Sequence, residues 1–167
     1  MKIVTAVQKA QSGDSEAFIW LCRQIESEMY GMARSILNRD EDCADVMQEA
    51  TLKAYQAIRS LRHPEFFKTW MLRILINECR QHLRRQKNIV EANAVETQLE
   101  SHTTSAEYEK IELREAVEGL DDPLRTVVLL HYFQDMPIRQ VAEVLNISET
   151  AVKSRLFRAR KSLLSEM

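Results

Sequence analysis

Cationic side chains near the C-terminus are the residues of this 167-residue chain with the clearest chemistry. Lys and Arg occupy five of the nine positions from 153 to 161: Lys153, Arg155, Arg158, Arg160 and Lys161. Such a density of positive charge can bind the phosphates of DNA. If residues 149–164 (ETAVKSRLFRARKSLL) form a helix, its other side carries an apolar stripe: Val152, Leu156, Ala159 and Leu163. An ordinary solvated surface helix would show the same pattern.

The residues before this basic helix favour DNA binding. Residues 138–145 (IRQVAEVL) have the apolar spacing of a short amphipathic helix, and the tight turn Asn146-Ile147-Ser148 follows. Ser148 is a suitable N-cap for the basic helix. Two short helices joined in this way predict a helix-turn-helix, whose second helix lies in the major groove of DNA.

A second cationic face is predicted in the N-terminal half. Residues 65–86 have the spacing of a helix with a wide apolar arc: Phe67, Trp70, Met71, Ile74, Leu75, Cys79 and Leu83. The remaining face carries a polar and basic line: Arg73, Asn77, Arg80 and Arg84. A helix that is buried on one side and basic on the other is a candidate surface for nucleic acid. We expect Trp70 to belong to the core.

No arrangement typical of catalysis or metal binding is found in the sequence. Cys79 and His82 are one helical turn apart, but no second pair of ligands follows at the spacing of a zinc site. Residues 40–51 begin with aspartates spaced as in a calcium loop, yet they lack its central Gly and final Glu. Three glycines are too few for a phosphate-binding loop. We therefore expect no enzyme active site, no metal and no cofactor.

Composition predicts that helices position these residues. Gly and Pro, the main helix breakers, occur only three times each, which favours an all-α fold. The charge is uneven along the chain: cations outnumber acids by 14 to 11 in residues 1–90 and by 7 to 4 in residues 123–167, whereas residues 91–122 hold 2 cations and 10 acids. We predict two small helical domains, residues 1–87 and 105–167, joined by a flexible acidic linker, residues 88–104.

Periodicity and capping residues predict the individual helices. In the first domain they span residues 2–10, 14–36, 42–58 and 65–86. In the second they span residues 105–119, 124–134, 138–145 and 149–164. Asp14 is the expected N-cap of the second helix, and Pro64 marks the boundary before the fourth because its ring disfavours helix in the preceding residue.

Apolar residues at helical spacing predict the interior. The third helix should bury Val46, Ala50 and residues 52–55. Core candidates of the second domain are Val127, Val128, Leu130, Tyr132 and Phe133. Three separated cysteines are expected to be small buried thiols of a reducing cytosol: Cys22, Cys43 and Cys79. No apolar stretch suits a signal peptide or a membrane span, so we expect an intracellular protein.

Passages in both halves match the motifs of one protein family. Residues 42–49 (DCADVMQE) and 52–55 (LKAY) match D-A-E-D-(L/V)-x-Q-E and L-x-A-(W/Y). Residues 67–74 (FKTWMLRI), with Asn77 and a following LRR, match F-R-T-W-L-Y-R-I, N and L-R-R. In the C-terminal half, residues 141–143 (VAE) and 152–160 (VKSRLFRAR) agree as well. The chain thus resembles the ECF (extracytoplasmic function) subfamily of bacterial RNA polymerase sigma factors.

The resemblance implies two domains, σ2 and σ4, bound to core RNA polymerase as a non-enzymatic subunit that recognises promoters and promotes DNA opening. It assigns these residues of the third helix to the clamp helices of the β′ subunit: Asp42, Asp45, Val46, Gln48, Glu49 and Leu52. It assigns these residues to the −10 element: Arg62, Phe66, Phe67, Lys68, Thr69, Arg73, Asn77 and Arg80. The turn at residues 62–66 would capture an unstacked base.

The resemblance assigns the helix-turn-helix to the duplex −35 element, next to the β flap. The implied contacts are Ser148, Thr150, Ala151, Lys153, Ser154, Arg155, Arg158 and Lys161. The sequence differs from the usual G-T-V-K-S-R, because Thr150 and Ala151 replace Gly and Thr.

The resemblance also implies the cellular setting of the chain. Its partners would be core polymerase, promoter DNA and an anti-sigma factor, with no small-molecule substrate and no membrane insertion. Stress-responsive transcription in the bacterial cytoplasm is implied, where a membrane-bound anti-sigma factor can hold the chain near the membrane.

A stand-alone helix-turn-helix regulator with an all-helical sensor domain is the alternative function. Such a protein would need a dimer interface and strong DNA affinity of its own. The N-terminal half favours the sigma factor, because an acidic third helix beside a basic, aromatic-bearing fourth helix suits polymerase and opened DNA better than a ligand pocket. A helical enzyme is less well supported, since the sequence shows no catalytic arrangement.

Overall fold

The computed structural model describes residues 1–93 and 108–166, with side chains for residues 1–92 and 113–166. Every regular element in these residues is helical, which confirms the predicted all-α class. The chain divides into two compact units, Met1–Glu96 and Thr97–Met167. Unit 1 contains α1 (Ile3–Gln11), α2 (Ser15–Gln24), α3 (Glu26–Ile36), α4 (Asp40–Ala57), α5 (Phe67–Asn93) and 3-10 turns at Ile58–Ser60 and Pro64–Phe66. Unit 2 contains α6 (Tyr108–Glu118), α7 (Asp122–Val128), a π-helical turn (Leu129–Phe133), α8 (Ile138–Leu145) and α9 (Glu149–Glu166).

The turn between α1 and α2 follows the sequence prediction. After α1, Gly13 adopts a φ of +103°, which L side chains rarely take. The carboxylate of Asp14 then caps α2 by accepting a 3.1 Å hydrogen bond from the backbone N–H of Ala17. The inner side of α1 is buried: Ala6, Val7 and Ala10. The first helix is therefore anchored at its end and along one side.

The single long helix predicted over residues 14–36 is wrong, because two helices occupy this range. Ile25 lies between α2 and α3 with φ −121° and ψ 10°. Its N–H bonds to the carbonyl of Cys22, three residues back instead of four, which interrupts the α-helical ladder. Ile25 and Met29 are both buried beside this break. The segment contains no breaker at this point, so tertiary packing overrides a locally continuous helical pattern.

Helices α4 and α5 pack against each other and carry much of the core of unit 1. The buried residues of α4 recur once per turn: Cys43, Val46, Ala50 and Ala54. The prediction that Leu52 and Tyr55 also belong to this stripe is wrong, since they are 52% and 45% exposed. Because residues 50 and 54 face inward, residue 52 lies on the opposite side of the helix.

Helix α5 is longer and more deeply buried than predicted. It continues to Asn93, so the first residues of the predicted linker are helical, and residues 94–104 lie outside the described part of the chain. No Gly or Pro stops the helix after residue 86, and Lys87 lies 3.9 Å from Glu91 as an i,i+4 ion pair. Leu72 and Ile76 are buried members of the apolar arc that the sequence did not identify, whereas Trp70 is only half-buried.

A buried ion pair joins α4 to α5. Glu78 is 5% exposed, and its carboxylate accepts a 2.6 Å hydrogen bond from the ammonium of Lys53. The Lys53 side chain is 41% exposed and also lies 3.8 Å from the carboxylate of Glu49. A carboxylate removed from water is costly unless it is paired, so Lys53 compensates the charge of Glu78 at the edge of the core.

We expect Lys53→Met to lower the free energy of unfolding of unit 1 by about 2 kcal/mol, because it leaves the Glu78 carboxylate buried without a cation. The partial exposure of Lys53 keeps this loss below that of a fully buried pair. Urea unfolding of the full chain, followed by Trp fluorescence, measures it, since Trp20 and Trp70 both lie in unit 1.

The control for this prediction is the double variant Lys53→Met/Glu78→Leu. It removes both charges and should recover most of the lost stability, because an ion pair is often replaced by apolar residues without loss. Native stability in Lys53→Met would instead show that solvent already compensates the Glu78 charge.

Unit 2 packs α7 and α8 against α9. Pro123 lies in the first turn of α7, where its missing N–H costs no hydrogen bond. Helix α8 begins and ends where the sequence predicts, and α9 follows after three residues, so the predicted helix-turn-helix is confirmed. Five residues at the centre of this unit have no exposed surface: Val127, Leu130, Val141, Val152 and Ala159.

The π-helical turn at Leu129–Phe133 changes the direction of two aromatic side chains. The N–H of Gln134 bonds at 3.0 Å to the carbonyl of Leu129, five residues back. The prediction that Tyr132 and Phe133 belong to the core is wrong, since they are 47% and 55% exposed. The wider turn holds an additional residue, which rotates the side chains at its end away from the apolar stripe. The other candidates are buried as expected: Val127, Val128 and Leu130.

The cysteines are free thiols with different environments. Cys43 and Cys79 are buried, as expected, while Cys22 is partly exposed. Burial raises the pKa of Cys79 to about 12 and the pKa of Cys22 to about 11. Both thiols therefore stay protonated at neutral pH, and a protonated thiol is a poor nucleophile and a poor metal ligand.

Candidate nucleic-acid interface

The turn of the helix-turn-helix fixes the start of α9. Asn146 takes a left-handed conformation with φ +54°, and the N–H of Ile147 bonds at 3.1 Å to the carbonyl of Ala142 in α8. The hydroxyl of Ser148 then accepts a 3.1 Å hydrogen bond from the N–H of Ala151, which confirms the predicted N-cap. As a donor, this hydroxyl is still available to a phosphate or a base.

The outer face of α9 brings together the residues predicted to contact duplex DNA. The exposed members are Thr150, Lys153, Ser154, Arg158 and Lys161. Ala151 and Arg155 are half-buried. Spacings of three and four residues make this a continuous surface. On the other side of the helix Val152, Leu156 and Ala159 are buried, so the orientation of the outer face is set by the core.

The structure adds information on two residues of α9 to which the sequence assigned no specific contact. Phe157 is 62% exposed within the cationic face, three residues after Ser154 and four before Lys161. The sequence feature that indicated this exposure was the position of an aromatic residue outside the apolar stripe. Such a ring can contact the methyl group of a thymine. Arg160 donates a 3.2 Å hydrogen bond to the hydroxyl of Tyr132, so this guanidinium is already engaged within unit 2.

In unit 1, residues 62–66 form an exposed segment between two buried anchors. Leu61 is 7% exposed and Phe67 1%, whereas Phe66 is 43% exposed and Arg62 is also on the surface. The prediction that Phe67 contacts DNA is wrong, because its side chain is part of the core. Its neighbour Phe66 is the aromatic ring that remains accessible to a base.

A polar line along α5 begins directly after this segment. Thr69, Arg73, Asn77 and Arg80 follow at spacings of four, four and three residues, with Arg73 and Asn77 exposed and the other two half-buried. Lys68 lies at its edge, 3.6 Å from the carboxylate of Glu28 on α3. Exposed pairs of this kind are weak, so a phosphate can compete for Lys68.

The outer face of α4 is acidic and includes the apolar side chain of Leu52. Its exposed residues are Asp45, Gln48, Glu49 and Leu52. Half of the Glu49 side chain and 52% of Leu52 are open to solvent. Within the described part of the chain, Glu49 has Lys53 nearby, but Asp45 has no ion-pair partner. This face presents uncompensated negative charge.

Two residues assigned to the same face lie inside unit 1. Val46 is 4% exposed, so direct contact with a partner is not available to it. The Asp42 side chain is 14% exposed and lies 3.1 Å from the imidazole of His82, while Gln86 donates a 3.1 Å hydrogen bond to its other oxygen. Val46 is therefore not a surface contact, and the Asp42 carboxylate is already engaged by two residues of α5. Among the described residues no three His, Cys, Asp or Glu side chains form a group that could hold a metal ion.

Each half of the chain matches a family model. The sigma-70 region 2 model matches residues 21–89, and the sigma-70 region 4 model matches residues 110–163. The ECF RNA polymerase sigma-E factor of Haemophilus influenzae is 30% identical over 173 residues, which cover 94% of this chain and 90% of that protein. The chain belongs to the ECF family of RNA polymerase sigma factors. As a member of this family it is a transcription initiation factor.

Other sigma factors are similar to this ECF sigma factor in sequence and fold. The sigma factor SigV of Bacillus subtilis is 29% identical over 136 residues, covering 81% of this chain and 82% of that protein. The structure of CnrH in complex with the cytosolic domain of CnrY has a TM-score of 0.71 at 25% identity, over 98% of this chain and 95% of that one. The sigma factor RpoE of Bartonella quintana, solved with the anti-sigma factor NepR, shares the fold with a TM-score of 0.79 at 20% identity, over 89% and 95% of the two chains.

Family membership decides between the two functions considered from the sequence. The N-terminal half of this ECF sigma factor matches sigma-70 region 2, so it is not the sensor domain of a stand-alone regulator. No helix in the described part of the chain combines the length and the apolar character that crossing a bilayer requires.

Proposed function

We propose that this ECF sigma factor binds the clamp helices of core RNA polymerase through the outer face of α4. The contact residues would be Asp45, Gln48, Glu49 and Leu52. An exposed Leu among polar side chains has the composition of a protein interface, with an apolar centre and a polar rim. Negative charge on this face would steer it toward a cationic partner surface. Asp42 contributes indirectly, since its contacts with His82 and Gln86 hold α4 on α5, and Val46 contributes to the core of unit 1.

The same proposal assigns residues 62–66 and the polar line of α5 to the opened −10 element. The observation that carries it is the exposed ring of Phe66 beside the buried Phe67. A base that leaves the duplex can stack on this ring, which contributes roughly 1–3 kcal/mol per base. Arg62 and Lys68, with the line from Thr69 to Arg80, would hold the backbone of that strand.

Helix α9 would read the duplex −35 element. Thr150 and Ser154, in its first turns, suit contacts with base edges, while Arg158 and Lys161 suit phosphates. Ala151 and Phe157 add an apolar methyl and an apolar ring, which favour thymine methyl groups at the bases they meet. A single helix-turn-helix makes few contacts, so specific binding would depend on polymerase holding both units on one promoter.

The proposed function consists of binding and placement, with no chemical step. We propose that the chain works without catalysis in the cytoplasm, where polymerase and promoter DNA are found. An anti-sigma factor is a proposed regulator, supported by the RpoE–NepR complex of similar fold. If that regulator were anchored in the membrane, it would hold the sigma factor there until release.

We expect Phe66→Ala to weaken binding of the reconstituted holoenzyme to single-stranded −10 DNA by roughly 10- to 100-fold, because the stacking surface is lost. Run-off transcription with core polymerase on genomic fragments first identifies a promoter. Fluorescence anisotropy with a labelled non-template oligonucleotide from that promoter then measures the affinity.

The matched control is Tyr30→Ala, which removes a ring of similar exposure from α3. Tyr30 is 45% exposed, and its hydroxyl donates a hydrogen bond to Asp40 on the surface of unit 1. This variant should bind −10 DNA normally. Equal affinities of Phe66→Ala and the native protein would refute base capture by this segment.

A further inference from the structure

A side-chain amide of α1 is bonded to the backbone that leads into residues 62–66. The Nε2 of Gln11 donates two hydrogen bonds, one of 3.1 Å to the carbonyl of Ile58 and one of 2.8 Å to the carbonyl of Leu61. These partners are 47 and 50 residues away in the sequence. The amide therefore links the first helix of unit 1 to a distant turn.

The two carbonyls lie at the two ends of the 3-10 turn Ile58–Ser60. The turn is closed by a 3.2 Å hydrogen bond from the N–H of Leu61 to the carbonyl of Ile58. The side chains of Ile58 and Leu61 are buried, at 4% and 7% exposure, and the next residue, Arg62, is exposed. The last fixed point before the exposed segment is thus the backbone to which Gln11 donates.

Helix α1 is a firm support for this contact. Its buried residues hold it in the core, and it packs against both 3-10 turns, Ile58–Ser60 and Pro64–Phe66. Gln11 is the last residue of the helix, directly before the turn at Gly13. The position of its amide is therefore set by the core of unit 1 and by the α1–α2 turn.

We propose that Gln11 is a positioning residue for −10 recognition, which sets the path of residues 62–66 without contacting DNA. This inference rests on the proposed function of that segment. Two hydrogen bonds from one amide fix both the position and the direction of the backbone where it leaves the core. A segment already held in its binding conformation loses less conformational entropy when a base binds. Its affinity for DNA and its selectivity among the four bases are therefore higher.

The Gln11 amide can be removed by mutation without unfolding the core around it. Gln11 is only half-buried, and the anchors Leu61 and Phe67 are held by the burial of their own side chains. Removing the donors leaves two carbonyls that water can reach in part, so the fold should persist while the exposed segment samples more conformations.

The test compares two variants of the full chain in reconstituted holoenzyme. Gln11→Met keeps the length of the side chain but has no donor, and Gln11→Lys restores donors. The probe is a set of four single-stranded −10 oligonucleotides that differ only at the captured base. The readout is the ratio of the best to the worst affinity, because general destabilisation lowers all four affinities together and leaves this ratio unchanged.

We expect Gln11→Met to reduce the ratio about tenfold, as the loss of two hydrogen bonds predicts, and Gln11→Lys to restore most of it. The control Gln8→Met changes an exposed residue of the same helix and should have no effect. Hydrogen exchange of the free chain should be faster at the amides of Leu61 and Phe66 in Gln11→Met, while the unfolding midpoint from Trp fluorescence stays close to the native value.

Three results would overturn the proposal: an unchanged ratio in Gln11→Met, no recovery in Gln11→Lys, or an equal loss in Gln8→Met. Phe66→Ala in the same assay distinguishes base capture by residues 62–66 from the positioning role of Gln11. If Phe66→Ala leaves the ratio unchanged, the segment does not capture the base and the proposed function fails. If Phe66→Ala abolishes the ratio and Gln11→Met does not lower it, only the positioning role fails.

Discussion

Asp45→Arg should abolish binding of this sigma factor to core RNA polymerase and leave unit 1 folded. Asp45 lies on the exposed side of α4 and has no ion-pair partner among the described residues, so its charge is available to a partner. Asp42, one turn earlier, is engaged with His82 and Gln86. Reversal of a charge at a complementary interface adds repulsion to the lost attraction and costs several kcal/mol, which corresponds to at least about 100-fold in affinity.

Fluorescence anisotropy with labelled sigma factor and core polymerase measures this effect. The stability of unit 1 should change by less than about 0.5 kcal/mol, since surface charges contribute little to folding. Glu16→Arg is the matched control, because it makes the same change of charge on the exposed side of α2. Native core affinity in Asp45→Arg would show that α4 is not the clamp-binding face.

Arg158→Ala should weaken binding of the holoenzyme to −35 duplex DNA by about tenfold and reduce the slope of log affinity against log salt by about 1. Arg158 is exposed on the outer face of α9, and the buried residues on the other side of that helix hold this face toward solvent. The salt slope distinguishes a phosphate contact from a contact with a base, because only counterions released from phosphates produce it.

Arg160→Ala is the matched control, because it removes a guanidinium two residues further along α9. The Arg160 guanidinium is bonded to the hydroxyl of Tyr132, so its loss should change duplex affinity less than threefold at an unchanged salt slope, roughly half a kcal/mol. Titrations of both variants between low and moderate salt provide the comparison. An unchanged slope in Arg158→Ala, or equal slopes in both variants, would contradict the groove model.

Much of the architecture could be predicted from local sequence features. Asp14, Ser148 and Pro123 each act within one helical turn of their own position, so capping rules locate the helix ends that they set. The apolar stripe of α9 was also correct for Val152, Leu156 and Ala159, because a 3.6-residue period belongs to one helix and needs no knowledge of its neighbours, whereas Leu163 is only half-buried.

Two of the larger errors in the sequence prediction arise from packing between distant residues. The continuation of α5 to Asn93 is a local effect, since residues 87–92 are exposed. The break at Ile25 and the π-helical turn that exposes Tyr132 and Phe133 carry no Gly or Pro signal. Local propensity differs by well under 1 kcal/mol between most residues, so burial decides such cases. The contacts of Gln11 and Lys53 are likewise invisible in the sequence, since their partners lie 25 to 50 residues away.

Periodicity, caps and motifs are local patterns, so they were enough to predict the all-α class, the helix-turn-helix and the resemblance to ECF sigma factors. Which members of those motifs are free to bind depends on the packing of the helices. Asp45 is exposed while Asp42 is engaged, Phe66 is exposed while Phe67 is buried, and Arg158 is exposed while Arg160 is bonded to Tyr132. Neighbouring residues of like chemistry cannot be distinguished by type or spacing, since their exposure depends on side chains that other helices bring to them.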